Sequence, residues 1–438
     1  MNRWQRWRAG AAVYFEPRVL AILFLGFSSG LPLALTGSTL QAWLTEEGVS
    51  LTSIGLFAAV GLPYTLKFLW APLIDALPIP VLSARLGRRR AWLLTSQLLL
   101  MLSIIVLGAT VPGRDPIPTA LVAFVVAFCS ATQDIVIDAF RIESLEDSKQ
   151  AAGMADYVAG YRVATLVSAA GALELASAFQ RSGHGGGMPW FATYAIMAGL
   201  LLIGAVTALL SHEPSRSGPA GAGPLRTRFG AVVVDPFADF VRRPGWLLIL
   251  LFVVFFKFGD ALAGNMTAAF VLRGVGFEKT EYARVVKVFG FAAVLIGGFV
   301  GGYVYRVAGT VRSLWLAGLA QMVSNLLFVW LARVGHRLSA LMLTIGIENL
   351  TGGLGSVIFV AYLSGLCRNR AYTATQYALL SALAAVGRTV LASSGGWLAE
   401  ELGWVAFFLL TTAAALPGLG LLWWLTRRGA IAGTAPAN

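Results

Sequence analysis

The chain has 438 residues, of which 57% are hydrophobic and only 12% charged, and it carries a formal net charge of +12. Soluble proteins hold about 25% charged residues, so an ordinary globular chain is excluded. The basic excess gathers in particular loops, which is a membrane-topology signal and argues against a nucleic-acid partner.

Apolar runs of about 20 residues recur along the whole length, the signature of membrane helices. Twelve crossing helices are predicted, at about 19–40, 51–74, 91–111, 117–138, 153–178, 189–210, 246–268, 284–306, 312–333, 339–364, 373–396 and 403–426. The fold class is therefore an all-α membrane protein. Residues 1–18, with Arg3, Trp4, Arg6, Trp7 and Arg8, read as a cytoplasmic interfacial anchor. The first apolar run exceeds a signal-peptide core and has no small-residue cleavage site behind it, so it is expected to be retained. Six helices over 19–210 form one bundle, and six over 246–426 a second. Between them, 211–245 begins with linker composition and continues as a short amphipathic helix near 235–243. A tail follows at 427–438.

Orientation follows from Lys and Arg. With the N-terminus inside, twenty-one of them fall in cytoplasmic segments against seven outside, so both termini are expected in the cytoplasm. The halves also repeat weakly. Gly48-Val49-Ser50-Leu51-Thr52 is matched by Gly276-Phe277-Glu278-Lys279-Thr280, and Tyr157 by Tyr377. Duplicated halves suit alternating access, with cargo held between them near the bilayer midplane.

The fourth run ends in Gln133, Asp134, Asp138, Arg141 and Glu143. Asp134, Asp138 and Arg141 share one helical face by their spacing. Carboxylates in hydrocarbon are costly and must face a bundle interior or a cavity. They are read as a coupling and binding surface; the alternative is simple pairing with bases on neighbouring helices. Further intramembrane charges are Lys67, Arg162, Glu174, Lys257, Asp260, Lys287, Glu348 and Arg388. Lys257 and Asp260, three apart, can satisfy each other, whereas Lys67 and Lys287 need a partner elsewhere or an anionic ligand. Arg388 suits a substrate carboxylate or Glu348; Arg162 is read as structural and Glu174 as interfacial. The histidines, His184, His212 and His336, all fall in loops. Coupling is therefore assigned to carboxylates: Asp134, Asp138, Asp260 and Glu348. A desolvated carboxyl holds its proton until a cation approaches, so proton symport is expected, with the proton gradient and no cofactor.

Amides and an aromatic suggest a sugar-bearing cargo: Gln41, Trp43, Asn265, Gln321, Asn325, Asn349 and Gln376, with Gln133 beside the aspartates as a further binding residue and Lys67, Lys257, Lys287 and Arg388 for the cargo's carboxylates. Trp43 reads equally as an interfacial belt residue. Gly297/Gly301 and Gly298/Gly302 have the spacing of close helix packing. After the second run, Asp75 is followed by Gly87-Arg88-Arg89-Arg90. This resembles the cytoplasmic latch signature of major facilitator superfamily transporters, although eleven residues separate Asp75 from Gly87 instead of about two. Asp75, Arg88, Arg89, Arg141 and Glu143 are taken as the candidate gate, with a plain positive-inside loop as the alternative. Cys129 and Cys367 have no motif spacing, so neither metal site nor disulfide is expected.

Several strings in order along the chain carry a wider resemblance: Leu40-Gln41-Ala42-Trp43, Lys67-Phe68-Leu69-Trp70, Gln133-Asp134-Ile135-Val136, Arg273-Gly274-Val275-Gly276-Phe277, Glu348-Asn349-Leu350 and Ala374-Thr375-Gln376. They resemble AmpG-type muropeptide permeases over nearly all twelve runs. The resemblance implies the major facilitator fold with two pseudo-symmetric six-helix bundles. It also implies proton-coupled import of N-acetylglucosaminyl-anhydro-muramyl peptides across a bacterial inner membrane, for peptidoglycan recycling and β-lactamase induction. The expected partners are that glycopeptide and the lipid bilayer, and a monomer is expected. Related importers of siderophores or acetyl-CoA-like anions are the alternative. A membrane enzyme is disfavoured, since no loop holds a catalytic cluster or a domain.

Overall fold

The structure is a computed structural model that describes residues 12–49, 57–183, 187–214, 235, 238–243, 245–367, 369, 372–390 and 394–429; the side chains of 58, 265, 279, 280, 283, 287, 288 and 386–390 lie outside that description. Among the described residues every regular element is helical. The principal helices are α1 (Pro17–Thr36), α2 (Ser38–Glu46), α3 (Arg88–Gly108), α4 (Pro116–Ser144), α5 (Gln150–Leu166), α6 (Ala172–Arg181), α7 (Met188–Leu200) and α8 (Leu202–Leu210) in the first half. The second half has α9 (Trp246–Phe255), α10 (Phe258–Ala269), α11 (Gly290–Val334), α12 (Leu338–Leu366), α13 (Thr373–Val390), α14 (Gly395–Ala413) and α15 (Leu416–Arg427).

Nine described segments are long and apolar enough to cross a membrane. One of them, Arg284–Val334, turns sharply at Gly309, whose φ of 75° only glycine adopts readily, and so makes two passes. The rest of the twelve expected passes correspond to the broken stretch 57–76 and to α13. Most of the N-terminal anchor, most of the 211–245 linker and most of the C-terminal tail lie outside the described residues.

Two passes expected to be continuous are interrupted. Residues 57–76 form short helices around a turn at Lys67–Leu69, flanked by Pro63 and Pro72. The seventh pass breaks at Lys257, between α9 and α10, where φ is −105°. Each break places a lysine where the backbone leaves the helical ladder. Irregular backbone at membrane depth is tolerated where it is buried in protein or lines a cavity.

The cores reveal how the halves meet. One apolar cluster, around Leu31, Trp43, Ile104 and Tyr194, draws only on the first half, and another, around Phe270, Phe328 and Phe408, only on the second. The other two clusters mix halves. Ala374 and Ala378 of α13 join Ile74, Ile135 and Phe140, while Ile142, Ala151 and Ala155 join Tyr305, Leu354 and Tyr362. The bundles are thus packed together on the face that carries Asp75 and Arg88–Arg90, and hold separate cores on the opposite face. The expected close glycine packing is present: Gly297 and Gly301 abut the backbone of Leu350 and Leu354 on α12, and Gly26, Gly30 and Gly160 bring α1 against α5.

Candidate transport site and latch

Most of the described intramembrane charges fall into two clusters, one per half, while Arg162 and Glu174 are exposed apart from them. In the first, Asp138 of α4 stands between two bases, with Lys67 Nζ at 3.7 Å and Arg141 Nη2 at 3.7 Å. Lys67, which has no partner on its own helix, thus finds one on α4. One turn earlier on α4, Asp134 accepts from Ser29 Oγ at 2.5 Å, and Ser29 Oγ lies 2.7 Å from the Tyr157 hydroxyl. The Asp138 and Lys67 side chains are 11% and 16% exposed, so the pair is sheltered yet still reachable. In the second cluster, Lys257 Nζ lies 3.2 Å from Asp260 Oδ2, the i,i+3 pair expected, and donates to Ser356 Oγ at 2.7 Å. Gln321 Nε2 donates to the same Asp260 oxygen at 3.0 Å. Glu348 accepts from Asn349 Nδ2 at 2.8 Å.

The remaining sugar-contact candidates are scattered. Trp43 is 1% exposed, stacked on Trp190 at 5.3 Å, with Tyr194 beside it. It is enclosed in the core of the first half, which corrects its reading as a stacking platform or belt residue. Gln133 is likewise buried, against Ser28 at 3.5 Å, so it belongs to a polar knot within the bundle. Asn349 donates to Ile345 O and Glu348 on its own helix. Gln41 is exposed on α2. The side chains of Asn265, Lys287 and Arg388 lie outside the described residues.

Four of the five gate candidates converge, and the fifth, Arg141, ties the halves together separately. Arg89, 1% exposed, places Nη2 2.7 Å from Asp75 Oδ1 and 2.6 Å from Glu143 Oε1, with Nε donating to Glu143 Oε2 at 3.0 Å. Asp75 then crosses to the second half, accepting from Thr375 N and Thr375 Oγ1 at 2.8 Å each and from Ala374 N at 3.3 Å. A carboxylate at the start of α13 meets unpaired N–H groups and the positive end of the helix dipole. Arg88 supports the site from behind by donating Nη1 to Asp75 O. Arg141 joins latch and charge cluster: besides Asp138, its Nη1 donates to Gln150 Oε1 at 3.0 Å and to Ser364 Oγ of α12 at 3.1 Å, and its guanidinium lies 5.4 Å from the Tyr377 ring.

Sequence reasoning does not single out several participants. Ser28 and Ser29 form a hydroxyl pair in an otherwise apolar run, which is a usable signal. Glu213, read only as linker, caps α3 by accepting from Arg89 N at 2.8 Å and Arg90 N at 3.0 Å. Asp239 accepts from Gln376 Nε2 at 2.8 Å and pairs with Arg243 at 2.5 Å, tying the amphipathic segment to α13. Asp156 is a further buried carboxyl that no spacing marks out.

Paired bundles closed on one face, each with a lysine–carboxylate cluster at a helix break, define a polytopic membrane transporter. Residues 22–376 match the Major Facilitator Superfamily. The chain is 42% identical over 410 residues to the anhydromuropeptide permease of Escherichia coli (strain K12), covering 94% of this chain and 80% of that protein. It is 34% identical over 416 residues to the putative transporter AmpG 4 of Rickettsia conorii, covering 95% and 98%. Among solved structures it aligns with the transporter FucP in its outward conformation, with a TM-score of 0.69, 12% identity, and coverage of 95% and 99%; that likeness concerns the fold alone. The chain belongs to the Major Facilitator Superfamily and, within it, to the AmpG-type permeases. The Escherichia coli and Rickettsia conorii relatives are a permease and a putative transporter.

Proposed function

We propose that this permease imports anhydro-muropeptides across a bacterial inner membrane by proton symport, as a monomer with both termini in the cytoplasm. The cargo assignment rests on the 42% identity to the Escherichia coli protein of that name. The carrying observation is the placement of one lysine–carboxylate cluster in each half, Lys67/Asp138 and Lys257/Asp260, while the halves are joined on one face only. A peptide-bearing disaccharide offers carboxylates to Lys67 and Lys257 and hydroxyls to the nearby amides. With the Asp75 face cytoplasmic, the structure is the outward-facing state.

In this reading a proton arriving from outside neutralises Asp138 and weakens its hold on Arg141 and Lys67. Lys67 is then free for the anionic cargo. Only with cargo bound does Arg141, relieved of one partner, give up its ties to Gln150 and Ser364, and the cytoplasmic seam opens. Asp134, Asp260 and Glu348 are the further coupling carboxyls. The test is uptake of labelled anhydro-muropeptide into vesicles with and without an inward proton gradient. Gradient-dependent accumulation is expected. Uptake of a siderophore in its place, with none of the muropeptide, would move the cargo to the alternative class.

A further inference from the structure

The two seams between the bundles are unlike. At the α13 seam, Asp75 is satisfied from both halves. At the seam of α5 with α11, acid and base stand unmatched. Asp156 of α5 is 1% exposed, and its Oδ2 is buried without a hydrogen-bond partner among the described residues. Arg306 of α11, three residues before the Gly309 turn, has a buried Nη1 in the same condition. Tyr14 lies near both, its phenol feeling the charge of Asp156 and of Arg306. Its ring meets Phe299 edge-on at 5.1 Å, and its hydroxyl donates to Phe299 O. Gly302 makes the contact between halves possible, since a Cβ there would stand 2.5 Å from the Tyr14 hydroxyl and 3.2 Å from Ala151 O. Ala152, also against Gly302, precedes Asp156 by four residues and so shares its helical face.

Charged and titratable groups on the packed elements are otherwise engaged. Glu16, beside Tyr14, pairs with Lys149 at 2.8 Å, and Lys149 also meets Glu146. On α4, Arg141 and Asp138 face each other and Lys67. On α5 itself, Tyr157 is held by Ser29, while Tyr161 stacks on Tyr157 and Arg162 is exposed. Tyr303 and Tyr305 on α11 and Tyr362 on α12 have contacts of their own. Among the described residues none of these forms a hydrogen bond or ion pair with Asp156. Burial penalises an ionised carboxylate in that position far more than its protonated form.

We propose that Asp156 is a second proton-binding site, placed at the α5–α11 seam and outside the central charge cluster, protonated while the seam is closed and ionised in water when it opens. The proton then acts as a ligand of the closed seam: binding it favours this conformation, and losing it on the latch side favours the open one. The inference rests on the alternating-access reading but not on the cargo.

The test uses the full chain in nanodiscs, with spin labels at Asp147→Cys and Arg312→Cys, exposed positions on either side of this seam. Both native cysteines are buried. No cargo and no gradient are present. The open-to-closed ratio of the native seam should rise with pH by up to about tenfold per unit, the slope of one linked proton. Asp156→Asn should stay closed at every pH, and Asp156→Glu should restore the response. A protonated-carboxyl infrared band, present in the native protein and missing from folded Asp156→Asn, gives a second reading free of the labels. A pH response unchanged in Asp156→Asn, or absent from the native protein, overturns the proposal. Failed muropeptide uptake alongside an intact Asp156-dependent response would sink only the cargo assignment. Intact uptake with a flat response would sink only this inference.

Discussion

Neutralising Asp75 should release the seam it closes. The carboxylate accepts two 2.8 Å bonds from Thr375 across the seam and one from Arg89 on its own side. In Asp75→Asn one oxygen becomes an NH2 group, which cannot accept from Thr375 N. Hydrogen bonds to a charged group contribute about 1.5–3 kcal/mol each, against roughly 0.5–1.5 for neutral ones. Arg89 keeps Glu143 at 2.6 Å, so its burial is not left uncompensated. The loss across the seam is therefore about 1.5–3 kcal/mol, equivalent to roughly tenfold to a hundredfold in the closed-to-open ratio. Thr375→Ala, which removes the hydroxyl but keeps the backbone donor, should shift the same ratio by less. Interspin distances across the α13 seam, measured at one pH, provide the assay. A closed population in Asp75→Asn within twofold of the native one would mean that the latch is ornamental and that packing of Ala374 and Ala378 alone holds the seam.

Three further outcomes are expected. Asp138→Asn should abolish gradient-driven accumulation while leaving counterflow exchange, read in loaded vesicles; normal accumulation would remove Asp138 from coupling. Glu213→Ala takes both cap acceptors from α3 and should cost about 0.5–2 kcal/mol, seen as a lower melting temperature with little change in transport. Gly160→Ala drives a methyl into the backbone of Leu23, where α1 and α5 cannot part without disturbing Ser29 and Tyr157; destabilisation by about 1–3 kcal/mol and weakened uptake should follow.

Local patterns carry some of this and not the rest. The i, i+4, i+7 spacing of Asp134, Asp138 and Arg141 within an apolar run places three charges on one face, and i,i+3 spacing pairs Lys257 with Asp260, because both follow from helix geometry alone. The latch is legible as a charge-rich loop that resembles a known signature, but its partner across the seam is not. Its meaning depends on Thr375, which meets Asp75 from the other half of the chain, and no periodicity within a helix encodes such a meeting. The same holds for Lys67, whose partner sits on α4, and for Asp156, whose significance is the lack of a partner. Trp43 misleads for the opposite reason: an aromatic near a span end suggests an interface, yet Trp190 and Tyr194 arrive from α7 to enclose it.

Arg141 is where coupling and closure meet, and its removal separates them. Its guanidinium is fully buried and serves Asp138, Gln150, Ser364 and Tyr377 at once. Ser364→Ala deletes only the tie to α12, a bond of Oγ at 3.1 Å to a cation, contributing about 1.5–3 kcal/mol. That change should open the seam without altering how many protons accompany each cargo molecule. Arg141→Gln deletes the same tie and also leaves Asp138 with Lys67 as its one nearby base among the described residues, so the carboxylate and the seam no longer share a group. Accumulation should fall far more than exchange, and the ratio of protons to cargo should drop with it, whereas Ser364→Ala should keep that ratio. Equal stoichiometry in the two variants would break the proposed link between Asp138 and the latch, and would leave Arg141 as a seam residue that merely lies near the carboxylate.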